Sequence, residues 1–236
     1  MTRLHTRRHW LRAAGALAAT ALLPGLAYAD AQVDFERAVI RDNAKAMLEL
    51  LLRGADPNTR DSAGRPGMVA ALHRDSLGVF DVLMLAPGIR VDETSAQGES
   101  ALMMAALKGH LAIVRKLLER GAAVNQQGWN ALHYATSAAL PDSLAIVQLL
   151  VRKGATVDAP SPNGTTALMM AAQYSSEEVV AQLLKYGADP LAKNQRGWTA
   201  VEFARQASRD YMVESLTLAQ QRKRSAQAQP QRRPGW

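Results

Sequence analysis

Three histidines, seven methionines, two recurring aspartates and two tryptophans carry most of the chemistry this chain could perform. His73, His110 and His133 could ligate a metal or move protons. Met103, Met104, Met169 and Met170, with Met47, Met68 and Met84, could offer thioethers to a soft cation such as copper. Their placement favours quieter roles. The histidines fall in different segments of the chain, and methionine is a natural filler between stacked helices. Asp56 and Asp189 each follow a helix end and open a loop, too far apart to be expected as a carboxylate pair. Cysteine is absent, which excludes disulfides, thiolate nucleophiles and cysteine metal sites. No Gly-x-Ser-x-Gly turn, His-Glu-x-x-His pair or phosphate-cradling glycine loop occurs. No catalytic residue, cofactor site or metal site is therefore expected, and a metal-handling protein is the weaker alternative.

The elements that position these residues follow a fixed period. Gly54, Gly88, Gly121, Gly154 and Gly187 recur at spacings of 34, 33, 33 and 33 residues. Four of them stand in similar text: Gly54-Ala55-Asp56, Gly121-Ala122-Ala123, Gly154-Ala155-Thr156 and Gly187-Ala188-Asp189. A second series (Gly64, Gly98, Gly128, Gly164, Gly197) precedes segments such as Ser100-Ala101-Leu102-Met103-Met104-Ala105-Ala106 and Thr166-Ala167-Leu168-Met169-Met170-Ala171-Ala172. Between the two series lie apolar stripes: Ile113, Val114, Leu117 and Leu118; Ile146, Val147, Leu150 and Val151; Val179, Val180, Leu183 and Leu184. Apolar residues at i, i+1, i+4 and i+5 form one face of a helix. A glycine after each stripe supplies the left-handed turn that ends it. No unit buries its stripe alone, so neighbours must stack.

This pattern resembles the ankyrin repeat, and the resemblance covers about residues 33–218. It departs from the family text in two ways. Alanine stands for the motif proline at Ala101, Ala131, Ala167 and Ala200, and methionine for the motif histidine at Met103 and Met169; His133 keeps the histidine. The resemblance implies an all-α solenoid of about six helix-turn-helix units joined by short hairpin loops. The first unit is expected to begin near Asp34 as a helix cap, and the sixth to present Arg205, Arg209, Asp210, Glu214 and Gln220 as a polar cap. The second unit is degenerate around Pro87-Gly88-Ile89, the connection from Gly121 to Gly128 is three residues short, and an insertion at Ala138–Pro141 restores the phase.

The resemblance also implies non-catalytic binding of a partner protein on the concave face made by hairpins and first helices. Carried over position by position, the candidates are Arg65, Glu99, Trp129, Thr165 and Trp198 after the motif glycines. Gln97, Asn163, Gln195 and Arg196 follow on the hairpins, and His73, Arg74, Lys108, Gln173 and Tyr174 at the ends of first helices. Trp129 and Trp198 stand out, because tryptophan is a frequent interface anchor.

The termini carry the charge. Residues 1–29 hold four arginines and no acid, residues 217–236 hold five basic residues and no acid, and the body between has 19 basic and 21 acidic residues. The net +7 is thus terminal, and a nucleic-acid-binding face on the body is not expected. Residues 1–29 run from cationic to apolar to Ala27-Tyr28-Ala29, the order of a cleavable signal peptide, with cleavage expected after Ala29. Thr6-Arg7-Arg8-His9-Trp10-Leu11-Arg12 resembles the twin-arginine export motif. Three segments are expected: signal peptide 1–29, repeat domain 30–218 and a disordered basic tail 219–236. The apolar run is too short for a stable membrane span. A monomeric periplasmic protein is the resulting expectation. Similar exported bacterial ankyrin proteins include some tied to stress defence and periplasmic catalases; a secreted effector acting on a host protein is the alternative.

Overall fold

The computed structural model describes the backbone of residues 24–228 and the side chains of residues 31–228. Among the described residues twelve helices pair into six units: α1 (Pro24–Ile40) with α2 (Ala44–Leu52), α3 (Gly67–His73) with α4 (Leu77–Leu85), and α5 (Ala101–Leu107) with α6 (Leu111–Glu119). Then follow α7 (Ala131–Ala135) with α8 (Ser143–Arg152), α9 (Ala167–Tyr174) with α10 (Glu177–Lys185), and α11 (Ala200–Gln206) with α12 (Asp210–Ala228). The all-α solenoid is as expected. Two isolated bridges, Arg60 with Pro66 and Thr94 with Ser100, close hairpins between units.

The stripes become one continuous core. Leu117, Leu150 and Leu183 hold equivalent places in α6, α8 and α10 and are fully buried. Each stabilises the stack by roughly 1.5–3 kcal/mol relative to exposure. Small first helices let neighbours approach: Ala101, Ala131, Ala167 and Ala200 open α5, α7, α9 and α11 and are all buried. In α3 that place belongs to Gly67, where an added Cβ would stand 2.6 Å from the Phe35 Cζ. The degenerate second unit is thus shaped to receive a ring from the first.

A ladder of side chains ties unit to unit. The residue four places after the first four helix-ending glycines is Asn58, Asp92, Asn125 or Asp158, and its Oδ1 accepts the backbone N–H of Arg90, Ala123, Thr156 or Asp189 at 2.8, 2.8, 2.9 and 3.0 Å. The sequence reading missed this set, although the glycine-plus-four spacing displays it.

First helices are capped by one geometry and several chemistries. The Ser100 and Thr166 hydroxyls accept the N–H of Met103 and Met169. Met103 Sδ accepts the Ser100 N–H at 3.4 Å, taking over the task that a histidine performs at His133, and a glutamate at Glu202. His133 is buried, and its Nε2 bonds the Thr165 carbonyl of the next unit at 3.1 Å. Burial pushes its pKa down, against the upward pull of its carbonyl contacts.

Two expectations require correction. Asp34 is no helix cap: α1 starts ten residues earlier, at Pro24, and Asp34 accepts a bond from Arg37 at 2.6 Å. The polar cap of the sixth unit exposes Arg205, Asp210 and Glu214, and its other two residues are tied into the fold. Arg209 donates to the carbonyls of Ala171, Ala172 and Ser175, and Gln220 to Pro190 and Thr199. Residues 219–228 are helical, the end of α12. Met212 and Leu216 anchor that helix in the core. Once anchored, a run of Gln, Arg, Lys and Ala propagates at little cost. Residues 229–236 and the export motif at Arg7 and Arg8 lie outside the described residues. Ala27 and Ala29 lie within α1, so the backbone of the expected cleavage site is helical here. Among the described residues no helix is long and apolar enough to cross a membrane.

Candidate protein-recognition site

The hairpins and first helices of the last three units enclose a hollow of about 290 Å3. Seven of the candidates line it: Trp129, Asn163, Thr165, Gln173, Tyr174, Arg196 and Trp198. Met170, Asn194, Phe203 and Gln206 complete the lining and were not foreseen, because their exposure depends on the neighbouring unit.

Each wall is held from below. Trp129 sets its ring edge-on to His133, centroids 5.3 Å apart. Trp198 does the same to Phe203 at 6.0 Å and packs in part against the core. The Asn194 carboxamide accepts the N–H of both Arg196 and Trp198, so one buried residue fixes the loop that carries both. The Arg196 guanidinium carbon lies 5.5 Å from the Trp198 ring centre, within cation–π range. The Asn163 side chain accepts from the Ser161 hydroxyl and the Thr165 N–H, and its carbonyl accepts the Gln195 N–H at 3.0 Å. Gln195 also donates through its amide to the Pro162 carbonyl. The hairpins of the fifth and sixth units are thereby locked in register. Tyr174, at the end of α9, is 47% exposed.

Thr165 is corrected. It is 2% exposed; its N–H goes to Ser161 and Asn163 and its carbonyl to His133. It braces the hollow from behind and offers a partner almost no surface.

The remaining candidates are not in the hollow. Arg65 is tied to Asp61 at 2.7 Å, and the pair closes its own hairpin. His73 and Arg74 are exposed at the end of α3, and Gln97 at the tip of the next hairpin. Glu99 accepts the Tyr134 hydroxyl at 3.3 Å. Burial first, then the Glu99 charge, pushes that phenol up to about 12. Lys108 and His110 both bond Asp75, at 2.8 and 2.9 Å. Burial would raise the Asp75 carboxyl, but those two bonds outweigh it and hold the pKa below the usual range. Glu99, Lys108 and His110 thus bridge unit to unit.

The methionines of the sequence reading divide likewise. Met47, Met68, Met84, Met103, Met104 and Met169 are buried in the core, and Met170 reaches the hollow.

The family model for ankyrin repeats (three copies) matches residues 67–160 and 137–225. The chain belongs to the ankyrin-repeat family. It is 39% identical over 70 residues to a poly [ADP-ribose] polymerase tankyrase of Caenorhabditis elegans, covering 28% of this chain and 3% of that protein. It is 35% identical over 99 residues to neurogenic locus notch homolog protein 1 of Xenopus laevis, covering 41% of this chain and 4% of that protein. With neurogenic locus notch homolog protein 2 of Homo sapiens the identity is 34% over 97 residues, 40% and 4% of the two chains. The chain thus spans a few per cent of the length of these relatives, and the likeness lies in the repeats. An ankyrin solenoid is a protein–protein interaction module, and that is the class to which fold and site assign this protein.

Proposed function

We propose that this protein recognises a partner protein, without catalysis, through the hollow between Trp129 and Trp198. The observation that carries this reading is the hollow itself: two braced aromatic walls, an exposed Tyr174 and an apolar floor at Met170. A surface so pre-organised loses little ordering entropy on binding. Aromatic anchors in a shaped recess are the usual energetic centre of an interface.

The place of action proposed is the periplasm, after removal of residues 1–29 as a twin-arginine-type signal. The charge and apolar order of those residues supports it. A periplasmic catalase or a similar stress-defence enzyme is the first partner to test, on the likeness to exported ankyrin proteins alone.

The test is a pull-down from periplasmic extract with the wild-type protein beside a Trp129→Ala/Trp198→Ala variant. A protein captured by the wild type and lost with the variant is expected. Capture by both would move the site away from the hollow. N-terminal sequencing of the exported protein is expected to begin at Asp30; an intact N-terminus would overturn the signal reading.

A further inference from the structure

The hollow has a sign. Its lining contains aromatic rings, carboxamides, a thioether and the Arg196 guanidinium, and no carboxylate. The other cations of the candidate face compare instructively. Arg65 is neutralised by Asp61 and Lys108 by Asp75, whereas Arg196 has no carboxylate within 4.0 Å among the described residues. Arg74 shares that condition but stands outside the hollow. The acid nearest along the chain, Glu202, is already engaged by the Thr199 N–H at 2.8 Å, the Thr199 hydroxyl at 2.6 Å and Arg205 at 3.6 Å. Arg196 is held by backbone and ring: its N–H goes to Asn194 and its guanidinium lies over Trp198, within cation–π range. Exposed and without a carboxylate partner among the described residues, its planar fork of N–H groups suits a carboxylate.

We infer that the partner presents an extended acidic segment to this hollow, with one Asp or Glu carboxylate on the Arg196 guanidinium and a neighbouring apolar side chain on Met170 between Trp129 and Trp198. The inference rests on the recognition reading above and adds the chemistry of the partner. Gln173, with no side-chain hydrogen bond among the described residues, is placed to bond the segment's backbone. Charge complementarity carries the choice of an acidic occupant: a basic segment would bring a second cation against Arg196 with no acid in the hollow to offset it.

The experiment selects random dodecapeptides on phage against the immobilised full chain and measures the winners by calorimetry. Enrichment of Asp or Glu beside Leu, Met, Phe or Trp is expected. Arg196→Glu is expected to weaken the selected peptides at least about tenfold, in line with the loss of a charge-assisted hydrogen bond. A fresh selection on that variant is expected to return Lys or Arg instead. Arg196 is exposed, so the exchange leaves the fold in place, which circular dichroism checks. Winners without acidic enrichment, or winners that ignore Arg196→Glu yet are lost with Trp129→Ala/Trp198→Ala, overturn the acidic segment and leave the recognition site standing. Winners that also survive the double tryptophan variant overturn both. A selection that returns no peptide overturns the linear segment, while the pull-down still decides the site.

Discussion

Residues 101–106 in α5 and 167–172 in α9 share the sequence Ala-Leu-Met-Met-Ala-Ala. Both segments are capped alike, by Ser100 and Thr166, and both bury their first methionine. The second methionines part company: Met104 is 3% exposed, whereas Met170 is partly exposed in the hollow. The neighbours differ: α5 lies between α3 and α7, whereas α9 lies between α11 and the five-residue α7, on which it packs lightly. Identical sequence thus yields a core residue in one unit and a binding floor in another. Burial belongs to the neighbour as much as to the residue.

The comparison can be broken or sharpened by mutation. Met104→Ala should cost about 2–5 kcal/mol, as large-to-small exchanges in a closed core do, and Met170→Ala half of that or less. Urea unfolding of the two variants measures the difference; equal losses would refute the distinction. The two hairpins differ as well. Gly98 and Gly164 hold equivalent left-handed positions, φ +80 and +78. Space surrounds Gly98, whereas a Cβ on Gly164 would lie 3.2 Å from the Asn194 Cα. Gly98→Ala should therefore cost about 1–2 kcal/mol from backbone strain alone, and Gly164→Ala roughly 1–3 kcal/mol more from the clash.

Between the compared units sits His133. Its pKa is lowered by burial, so the folded protein binds fewer protons than the unfolded chain below the ordinary value of 6.5. Its neutral form gives full stability above that pH, and stability should fall as pH drops below it. Asp75 and Glu202, whose pKa values are lowered from 3.8 and 4.5, lose their contribution only beneath those values, in a separate window. Melting temperature against pH should thus show a histidine limb that His133→Gln flattens; a limb unchanged in the variant would assign it elsewhere. The smallest effect belongs to the turn between α5 and α6. Lys108→Ala breaks a pair in which Asp75 is half exposed, and should shift stability by at most about 0.5 kcal/mol. A larger loss would show that the Asp75 cluster braces the solenoid.

Much of this was legible beforehand. The glycine period, the apolar stripes, the histidine position and the choice of Trp129 and Trp198 all came from spacing and residue type. The Asn and Asp ladder was equally visible at glycine-plus-four, but its purpose needs two units in view. Thr165 read as a surface residue because its place after a motif glycine matches those of Trp129 and Trp198; in three dimensions it is the bracket that His133 holds. Residues 219–228 read as too polar to pack; most of their side chains are exposed, but Gln220 bonds Pro190 and Thr199, and the backbone continues an anchored helix.

What the sequence determined by itself is the repeat: which residues turn, which cap and which face the next unit. These are local properties, fixed by left-handed glycines, short-range hydrogen bonds and helical periodicity. What only the tertiary structure decided is where the repeat fails to close. The partly exposed Met170 and the Arg196 cation over Trp198 are decided by the stack, because a side chain's burial and its partners are set by whatever the fold places beside it.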